Sequence, residues 1–388
     1  MYSRKEACPF LWRIVPLPPE MNSRCVPPSA RLKTMSAMRR STTFLEHLIH
    51  LKIATSRCLT NDTTAATLHF IPFYTYLCVK GVGNDAIGWP DRSQPVFLLG
   101  SGVARASMLY RLHALLRQQD ASFASDPSRY VMVMDAPYLP FVHGWGRELA
   151  KWPEISRLRV WTTHALADGN TSARKLRRLG AGVSSVPYVS PVVVRQHRGK
   201  TARLPEIALR PRGTLVAAAF GAIDAGLPGS ALRPALRASC AAAGASRCAL
   251  VSSFGATRNK AGRAARGTDV HVAKGGSAAA DAALDAYSSA QFSLQPPGDT
   301  ITRKGIIDSL AAGCVPVIFD PLSVTQWSNH FPSATAYSVL LSPAVTSVDN
   351  VTARLQAMVD SGEASHSRGR ISAWTPRPRP QLEPHTRT

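Results

Sequence analysis

The sequence lacks any apolar stretch of about 18 or more residues, so no segment in it is long enough to cross a bilayer as a helix. Its first residues are interrupted by prolines and lack the continuous apolar core of a signal peptide. Contact with a membrane is therefore expected only through an anchor that this sequence does not show.

Metal-ligand patterns are also missing. The seven cysteines form no CxxC pair and have no histidines at ligand spacing, so no metal site is expected. Cys240 and Cys248 are separated by a short turn. They form either a disulfide in an oxidising compartment or two buried free thiols, and the sequence leaves both open.

Acidic residues are scarce, since 24 Asp and Glu stand against 46 Lys and Arg for a net charge of +22. Such a charge suggests a polyanionic partner: nucleic acid, an anionic membrane surface or an acidic polysaccharide. However, 36 of the basic residues are arginine, spread along an alanine-rich sequence as a compositional bias would also produce. Without a zinc-finger, RRM or KH signature, a nucleic-acid partner is not expected.

The length of 388 residues predicts two domains, because a single core rarely grows beyond about 250–300 residues. Residues 1–60, rich in Arg, Pro and Ser, predict a disordered basic leader. Strands alternating with helices predict one α/β domain over 61–200 and a second α/β domain over 210–345. The basic stretch Arg195–Arg212 is the predicted linker, and residues 346–388 predict a disordered polar tail.

Short apolar runs predict the buried strands of these domains. The predicted strands are Leu68–Val79, Tyr130–Met134, Leu158–Thr162, Val183–Val189, Thr214–Phe220, Cys248–Phe254, Gln291–Gln295 and Cys314–Phe319. The predicted helices are Thr43–Ile53, Met108–Gln119, Ser230–Ala242, Ala279–Ser289 and Thr302–Ala312. Pro316 donates no N–H, so its strand is expected to be paired on one side only there or to begin there.

The stretch Gln291–Phe319 carries the chemistry. A strand enters the turn of Pro297, Gly298 and Asp299, a helix follows, and Gly313 leads into a second strand. Units of this kind bind ligands at the carboxyl ends of their strands. Free N–H groups at the start of the helix predict an anion site in that crevice.

Two cations open this helix. Arg303 and Lys304 lie in its predicted first turn, where the macrodipole disfavours each by about 0.3–1 kcal/mol. Asp299 or Asp308 would compensate them, or the diphosphate of a ligand; Gly305, which leaves room for close approach, favours the ligand. Asp308 is either an acceptor for ribose hydroxyls or a solvated partner of Lys304, and spacing alone favours neither.

The run Leu294–Phe319 resembles the signature of the exostosin-like glycosyltransferases of plants and algae. A PPGD turn, a basic pair, an Asp-Ser step and a Gly-Cys-x-Pro-Val strand occur there in the same order and spacing. Shorter similarities lie at Ile71–Tyr74, Trp145–Gly146, Val186–Tyr188, Phe220–Ala222, Leu232–Arg233, Cys240, Thr325–Trp327, His330–Pro332 and Tyr337–Val339.

The resemblance implies a GT-B-like α/β fold, with two Rossmann-like domains facing each other across a cleft. In that fold the first domain (61–200) lies on the acceptor side, and the second domain (210–345) binds the nucleotide sugar. It implies an inverting glycosyltransferase that moves a sugar from a nucleoside diphosphate sugar, of the UDP-sugar type, to a polysaccharide or glycoprotein glycan. No cofactor or metal would be obligatory, and the site of action would be the Golgi lumen. Whether the protein forms a homo- or hetero-oligomer is left open.

Pattern and resemblance together assign the donor-binding residues. These are Gly221, Arg233, Pro297, Gly298, Asp299, Arg303, Lys304, Asp308, Ser309 and Gly313. Arg303 is expected to contact the diphosphate in a bidentate manner, and Asp308 to hold the ribose.

One departure concerns the catalytic base. The family usually has an Asp-His pair before the buried strand of the first domain, where this sequence has Arg129-Tyr130. An inverting transfer needs a base for the proton of the acceptor hydroxyl. Asp135 and His143, just downstream, are the candidate bases. The alternative is a homologue that binds sugar nucleotide without transferring sugar.

Overall fold

The structure is a computed structural model of the whole chain. It describes residues 8, 10–22, 45–74, 102–134, 151–163, 182–188, 190, 211–221, 229–251, 276–298, 301, 303–328, 330–331, 336–342, 351–365, 367 and 371. The candidate bases Asp135 and His143, the turn residue Asp299 and most of the predicted linker lie outside the described residues.

The first half forms a parallel sheet of five strands in chain order. The strands are β1 (Trp12–Ile14), β2 (Leu68–Ile71), β3 (Tyr130–Val133), β4 (Arg159–Thr162) and β5 (Gly182–Ser185). Its helices are α1 (Leu45–Ala54), α2 (Gly102–Gln119) and α3 (Ala121–Ser125), with 3-10 turns at Pro19–Met21, Pro127–Arg129 and Pro153–Ser156.

Burial on both faces explains why β3 is apolar throughout. Tyr130 and Met132 belong to the core on one face of the sheet, with Leu112 of α2. Val131 and Val133 belong to the core on the other face, with side chains of α1. A strand that is covered on both faces needs apolar side chains at successive positions, as the sequence predicted here.

The second half forms another parallel sheet of five strands, in the order β10-β9-β8-β6-β7. The strands are β6 (Thr214–Ala219), β7 (Cys248–Val251), β8 (Ala290–Gln295), β9 (Val315–Ile318) and β10 (Val339–Leu340). Its helices are α4 (Leu232–Ala243), α5 (Gly276–Ser289), α6 (Lys304–Ala311), α7 (Pro321–Thr325) and α8 (Val351–Asp360). Two parallel sheets with helices confirm the predicted α/β class.

The strand order of the second sheet determines where its ligand-binding crevice lies. The chain moves from β6 to β7 on one side, then returns to add β8 on the other side of β6. The connections therefore leave the carboxyl ends of β6 and β8 in opposite directions, and ligands of α/β proteins bind at such a topological switch point. The predicted donor turn, which begins with Pro296, Pro297 and Gly298, follows β8 directly.

Pro316 lies where the sheet tolerates it. It pairs with Ser293 of β8 on one side, whereas β10 pairs only with the following two residues of β9, Val317 and Ile318. The expectation that the strand is paired on one side at this proline is confirmed, because the short β10 requires no N–H from it.

The expectation of a disordered leader over residues 1–60 is wrong for β1, whereas α1 confirms the helix predicted at Thr43–Ile53. β1 pairs with β2, and Trp12 is buried with Leu45 and Ile53 of α1 in one core. β1 has only three residues with Arg13 at its centre, so alternation gave too short a signal for a strand.

The tail over 346–388 is likewise not fully disordered. α8 lies within it, and Val351, Leu355 and Ile371 are buried in the core of the second sheet. Val351 and Leu355, four residues apart, form the apolar stripe of an amphipathic helix.

Among the described residues, two disulfides fix parts of the chain. Cys240 at the end of α4 bonds to Cys248 at the start of β7, which resolves the alternative that the sequence left open. Cys8 bonds to Cys58, which follows α1. Cys314 is a buried free thiol.

No helix among the described residues combines the length and the apolar character needed to cross a membrane.

Arg212 connects three elements at the amino end of the second sheet. Its Nη1 donates to the carbonyl oxygens of Tyr287 and Ala290 at 2.7 and 2.9 Å, and its Nη2 to that of Ala312 at 2.7 Å. These carbonyls belong to the end of α5, the start of β8 and the residue after α6. One side chain thus replaces water for three main-chain acceptors.

We predict that Arg212→Met lowers the free energy of unfolding by about 2–4 kcal/mol, because the carbonyls lose charged donors. Chemical denaturation followed by circular dichroism measures this. Arg247→Met, at an exposed arginine of the same domain, is the matched control and should change stability by less than about 0.5 kcal/mol. Equal effects of the two substitutions would contradict this account of Arg212.

Candidate active site

The candidate site lies at the carboxyl ends of β6 and β8. Phe220 and Gly221 follow β6, and Pro296, Pro297 and Gly298 follow β8. All five residues are buried. Two arginines from later elements reach this point and bind its main-chain carbonyls, so the predicted donor segment is held against the end of β6.

Arg233, in the first turn of α4, joins the two strand ends. Its Nε donates to the carbonyl oxygen of Pro297 at 2.9 Å, and its Nη1 to that of Gly221 at 3.1 Å. Its guanidinium carbon lies 5.9 Å from the centre of the Phe220 ring, within the range of a cation–π contact. The structure thereby brings together Gly221, Arg233 and Pro297, which the sequence assigned to the donor site separately.

Arg303 reaches the same ring from the segment after β8. Its Nη1 donates to the carbonyl oxygen of Pro296 at 2.9 Å and its Nη2 to that of Ala219 at 3.4 Å. Its guanidinium carbon lies 5.7 Å from the ring centre of Phe220. Two carbonyls occupy two of five N–H groups, which leaves donors for a ligand.

The charge of Arg303 has no carboxylate partner among the described residues. Desolvation lowers the pKa of its guanidinium, and the nearby hydroxyls of Tyr287 and Tyr188 oppose this effect by raising the pKa to a smaller extent. An arginine stays protonated nonetheless. A cation withdrawn from water without a counterion favours an anionic ligand at this position.

The start of α6 differs from the prediction. The helix begins at Lys304, and Arg303 is its N-cap residue with extended backbone (φ −136°, ψ 133°) and no side-chain cap. No acidic residue lies in the first turn. The N–H of Ile306 donates to the carbonyl oxygen of Arg303 at 3.3 Å, and no side chain caps the N–H groups of that turn, so the start of the helix stays open to an anion.

Lys304 and Asp308 form the pair that the sequence offered as one alternative. Lys304 Nζ lies 2.5 Å from Asp308 Oδ2. Asp308 is 9% exposed, so it is not a solvated surface residue. Its Oδ1 is buried and has no hydrogen-bond partner within the described part of the chain. One carboxylate oxygen is thus neutralised by lysine, and the other keeps its full acceptor capacity.

A buried polar network lies behind these charges. Gln295, the last residue of β8, shares the two protons of its Nε2 among Tyr287 Oη at 3.3 Å, Ser293 Oγ at 3.2 Å and Ser309 Oγ at 3.0 Å. Ser309 Oγ donates to the carbonyl oxygen of Gly305 at 2.6 Å. Burial raises the pKa of Tyr287 to about 12, so its hydroxyl stays protonated at physiological pH.

The absence of a side chain at Gly305 leaves room for Gln295 and Tyr287 of this network. A Cβ on Gly305 would lie 2.4 Å from Gln295 Oε1 and 3.0 Å from the hydroxyl of Tyr287. The expectation that its missing side chain makes room for a phosphate is wrong, because Gln295 fills that space. Sequence reasoning missed Gln295 and Tyr287 altogether, although a glutamine that ends an otherwise buried strand is itself a signal.

Two assigned donor residues lie apart from the crevice. Ser309 is fully buried and its hydroxyl is used within the network, so it holds α6 against the sheet. Gly313 follows the carboxyl end of α6 in the left-handed region at φ 69°. The eight residues of the helix separate it from Arg303 by about 12 Å. Helix geometry gives Gly313 a terminating role.

The departure Arg129-Tyr130 lies at the amino end of β3. Arg129 donates to the carbonyl oxygens of Ala66 and Thr67. The Tyr130 ring stacks on His69 at 4.6 Å, and its hydroxyl lies 2.6 Å from Ser122 Oγ. These contacts bind the amino edge of the first sheet together, whereas ligands of parallel sheets bind at the carboxyl edge.

The described residues contain no group of three His, Cys, Asp or Glu side chains that could hold a metal ion.

Gly229, which precedes α4, allows α4 to lie close to the donor turn, Pro296–Gly298. A Cβ there would lie 2.0 Å from the carbonyl oxygen of Pro297 and 3.3 Å from Arg233 Nε. We predict that Gly229→Ala lowers the free energy of unfolding by about 1–3 kcal/mol, since main chain must move. Gly213→Ala, with open space at its Cβ, is the control and should show a far smaller loss by denaturant titration.

The chain is similar to known glycosyltransferases. The model of the exostosin GT47 domain matches residues 14–346. A xyloglucan-specific galacturonosyltransferase of Arabidopsis thaliana is 48% identical over 59 residues, which is 15% of this chain and 9% of that protein. A xyloglucan galactosyltransferase of the same plant is 45% identical over 60 residues, 15% of this chain and 10% of that protein. The matches therefore span a small fraction of these relatives. Because the family model covers most of the sequence, the chain belongs to the exostosin GT47 family.

Proposed function

We propose that this protein is a glycosyltransferase that moves a sugar from a nucleoside diphosphate sugar to a polysaccharide or glycan acceptor. One observation carries the proposal: the Arg303 guanidinium is fixed at the switch point of the second sheet without a described carboxylate partner. Membership of the exostosin GT47 family supports the same reaction class.

In this proposal the donor diphosphate binds between Arg303 and the first turn of α6. The guanidinium and the main-chain N–H groups donate hydrogen bonds to its oxygens. The diphosphate gains negative charge as the sugar leaves, so donors fixed in advance stabilise the transition state more than the bound substrate. This chemistry would need no metal ion or cofactor.

Asp308 is proposed to hold the ribose. Its Oδ2 is paired with Lys304, and its Oδ1 has no partner among the described residues. A buried carboxylate oxygen without a partner gains the hydrogen bond that it lacks when it accepts from a ribose hydroxyl.

We also propose that the two sheets face each other in a GT-B-like arrangement. Gln326, after α7, donates from Nε2 to the carbonyl oxygen of Thr163, just beyond β4, at 2.8 Å. His330 Nε2 lies 2.9 Å from the carbonyl oxygen of Ser185, the last residue of β5. Segments that follow carboxyl strand ends thus meet in both contacts, as expected if a cleft lies between the carboxyl edges.

The substrates are proposed from the relatives' names. They are xyloglucan galactosyl- and galacturonosyltransferases, so the donor proposed here is a UDP-hexose or UDP-hexuronic acid and the acceptor a xyloglucan-like polysaccharide. Transfer with inversion follows the family resemblance. These substrates are proposals because the matched stretches cover so little of either relative.

A lumenal location, in the Golgi, is part of the proposal. The disulfides Cys8–Cys58 and Cys240–Cys248 support an oxidising compartment. Asn61 begins an Asn-Asp-Thr acceptor sequence and is exposed.

We predict that Arg303→Met weakens UDP binding about 10- to 100-fold, the loss of a charged hydrogen-bonding partner, and lowers transfer further because the developing charge loses its donor. Calorimetry with UDP and a transfer assay with UDP-galactose and xyloglucan measure the two effects. Arg354→Met, at an exposed arginine of α8, is the matched control.

Arg303→Lys, which keeps the charge, should bind UDP better than Arg303→Met. Circular dichroism would establish that all variants are folded. Wild-type UDP affinity and transfer in folded Arg303→Met would contradict the assignment of the diphosphate site.

A further inference from the structure

A second group of ionisable side chains lies at the carboxyl edge of the first sheet. α1 runs antiparallel to the strands. Its later part leads to Cys58, whose carbonyl oxygen accepts from the N–H of Trp12 at the start of β1. Its first turns carry His47 and His50, which contact Tyr74, three residues beyond the end of β2. Ligands of a parallel sheet bind at this edge.

The Tyr74 hydroxyl joins the two histidines. It lies 2.7 Å from His50 Nδ1 and 3.1 Å from His47 Nδ1, and Tyr74 is 2% exposed. A phenol has one proton, so it donates to one imidazole and accepts from the other. When Tyr74 donates to His47, the Nδ1–H of His50 donates to the phenol oxygen, and the lone pair of His50 lies on Nε2.

In that arrangement His50 is a base whose orientation is fixed by Tyr74. A base is most effective when a third group fixes its tautomer and ring orientation. Burial lowers the pKa of His50, so its imidazole is neutral near pH 7. Burial and the charge of Glu46 raise the pKa of Tyr74, so the phenol stays protonated. Nε2 of His50 has no hydrogen-bond partner within the described segments.

Neighbouring strand ends offer hydroxyls at the same edge. Thr162 ends β4 and Thr163 follows it, and Ser185 ends β5. Such side chains do not titrate near neutral pH and cannot take up a proton there. By contrast, the Arg129-Tyr130 pair lies at the opposite, amino edge.

We propose that His50 is the general base of the transfer, positioned by Tyr74 and His47. The assignment rests on the proposed function. The acceptor hydroxyl oxygen bonds to the anomeric carbon of the donor while the bond from that carbon to the diphosphate oxygen breaks. The diphosphate leaves with the electron pair, and the hydroxyl proton passes to Nε2 of His50, which later releases it to water.

The test compares variants of the full chain with UDP-galactose, UDP-galacturonic acid and xyloglucan. His50→Ala should lower kcat about 100- to 10,000-fold, the usual contribution of a general base, with UDP affinity unchanged. Added imidazole should restore part of the lost activity, which a purely structural defect would not allow. Tyr74→Phe should cause a smaller loss that imidazole does not restore.

Leu51→Ala is the matched control, because Leu51 is the next residue on the same helix and is 42% exposed. It should transfer sugar like the wild type. If His50→Ala does not fold, His50→Gln replaces it and should bind UDP while losing transfer.

The outcomes separate the two proposals. Wild-type transfer together with a loss below about threefold in a folded His50 variant would overturn the base assignment and leave the proposed function intact. Absence of transfer by the wild type with every donor would contradict the proposed function, and the base assignment with it.

Discussion

The arrangement of the second sheet depends on guanidinium groups bound to main-chain carbonyls around the Phe220 ring. Arg233 and Arg303 come from different elements, yet both end at the same strand ends and bind carbonyl oxygens there. These carbonyl oxygens accept hydrogen bonds from the guanidinium groups but do not neutralise their charge. Arg303, which has no carboxylate partner among the described residues, therefore keeps positive charge in a desolvated crevice, which costs free energy in the absence of an anion and favours its binding.

The same type of contact explains part of the basic composition. Arg212 binds three carbonyls at the amino end of the second sheet, and Arg129 binds two at the edge of the first. Arginine suits this task because its five donors form a rigid fork. The positive charge is thus partly structural, and it gives little support to the alternative of a nucleic-acid-binding protein.

Local patterns predicted much of the fold. Buried strands such as Tyr130–Val133 and the helix after the donor turn were recognised because apolar periodicity is a property of neighbouring residues. The disulfide Cys240–Cys248 was one of two open alternatives. β1 was missed because its stability comes from pairing with β2, more than fifty residues away.

In the candidate site, too, local features could be predicted from the sequence and contacts between distant residues could not. The sequence assigned Arg303 to the donor site from its motif, which stays a prediction, and the role of Gly313 follows from helix length alone. It misread Gly305, whose neighbour Gln295 comes from another element. The pairing of His47 and His50 with Tyr74 was invisible for the same reason, since tertiary contacts join side chains that local patterns treat separately.

The most direct test of the donor site is a crystal structure of the protein with UDP. The account predicts the diphosphate within hydrogen-bonding distance of the Arg303 guanidinium and the first N–H groups of α6, with the ribose beside Asp308. A diphosphate bound away from the carboxyl ends of β6 and β8 would contradict it.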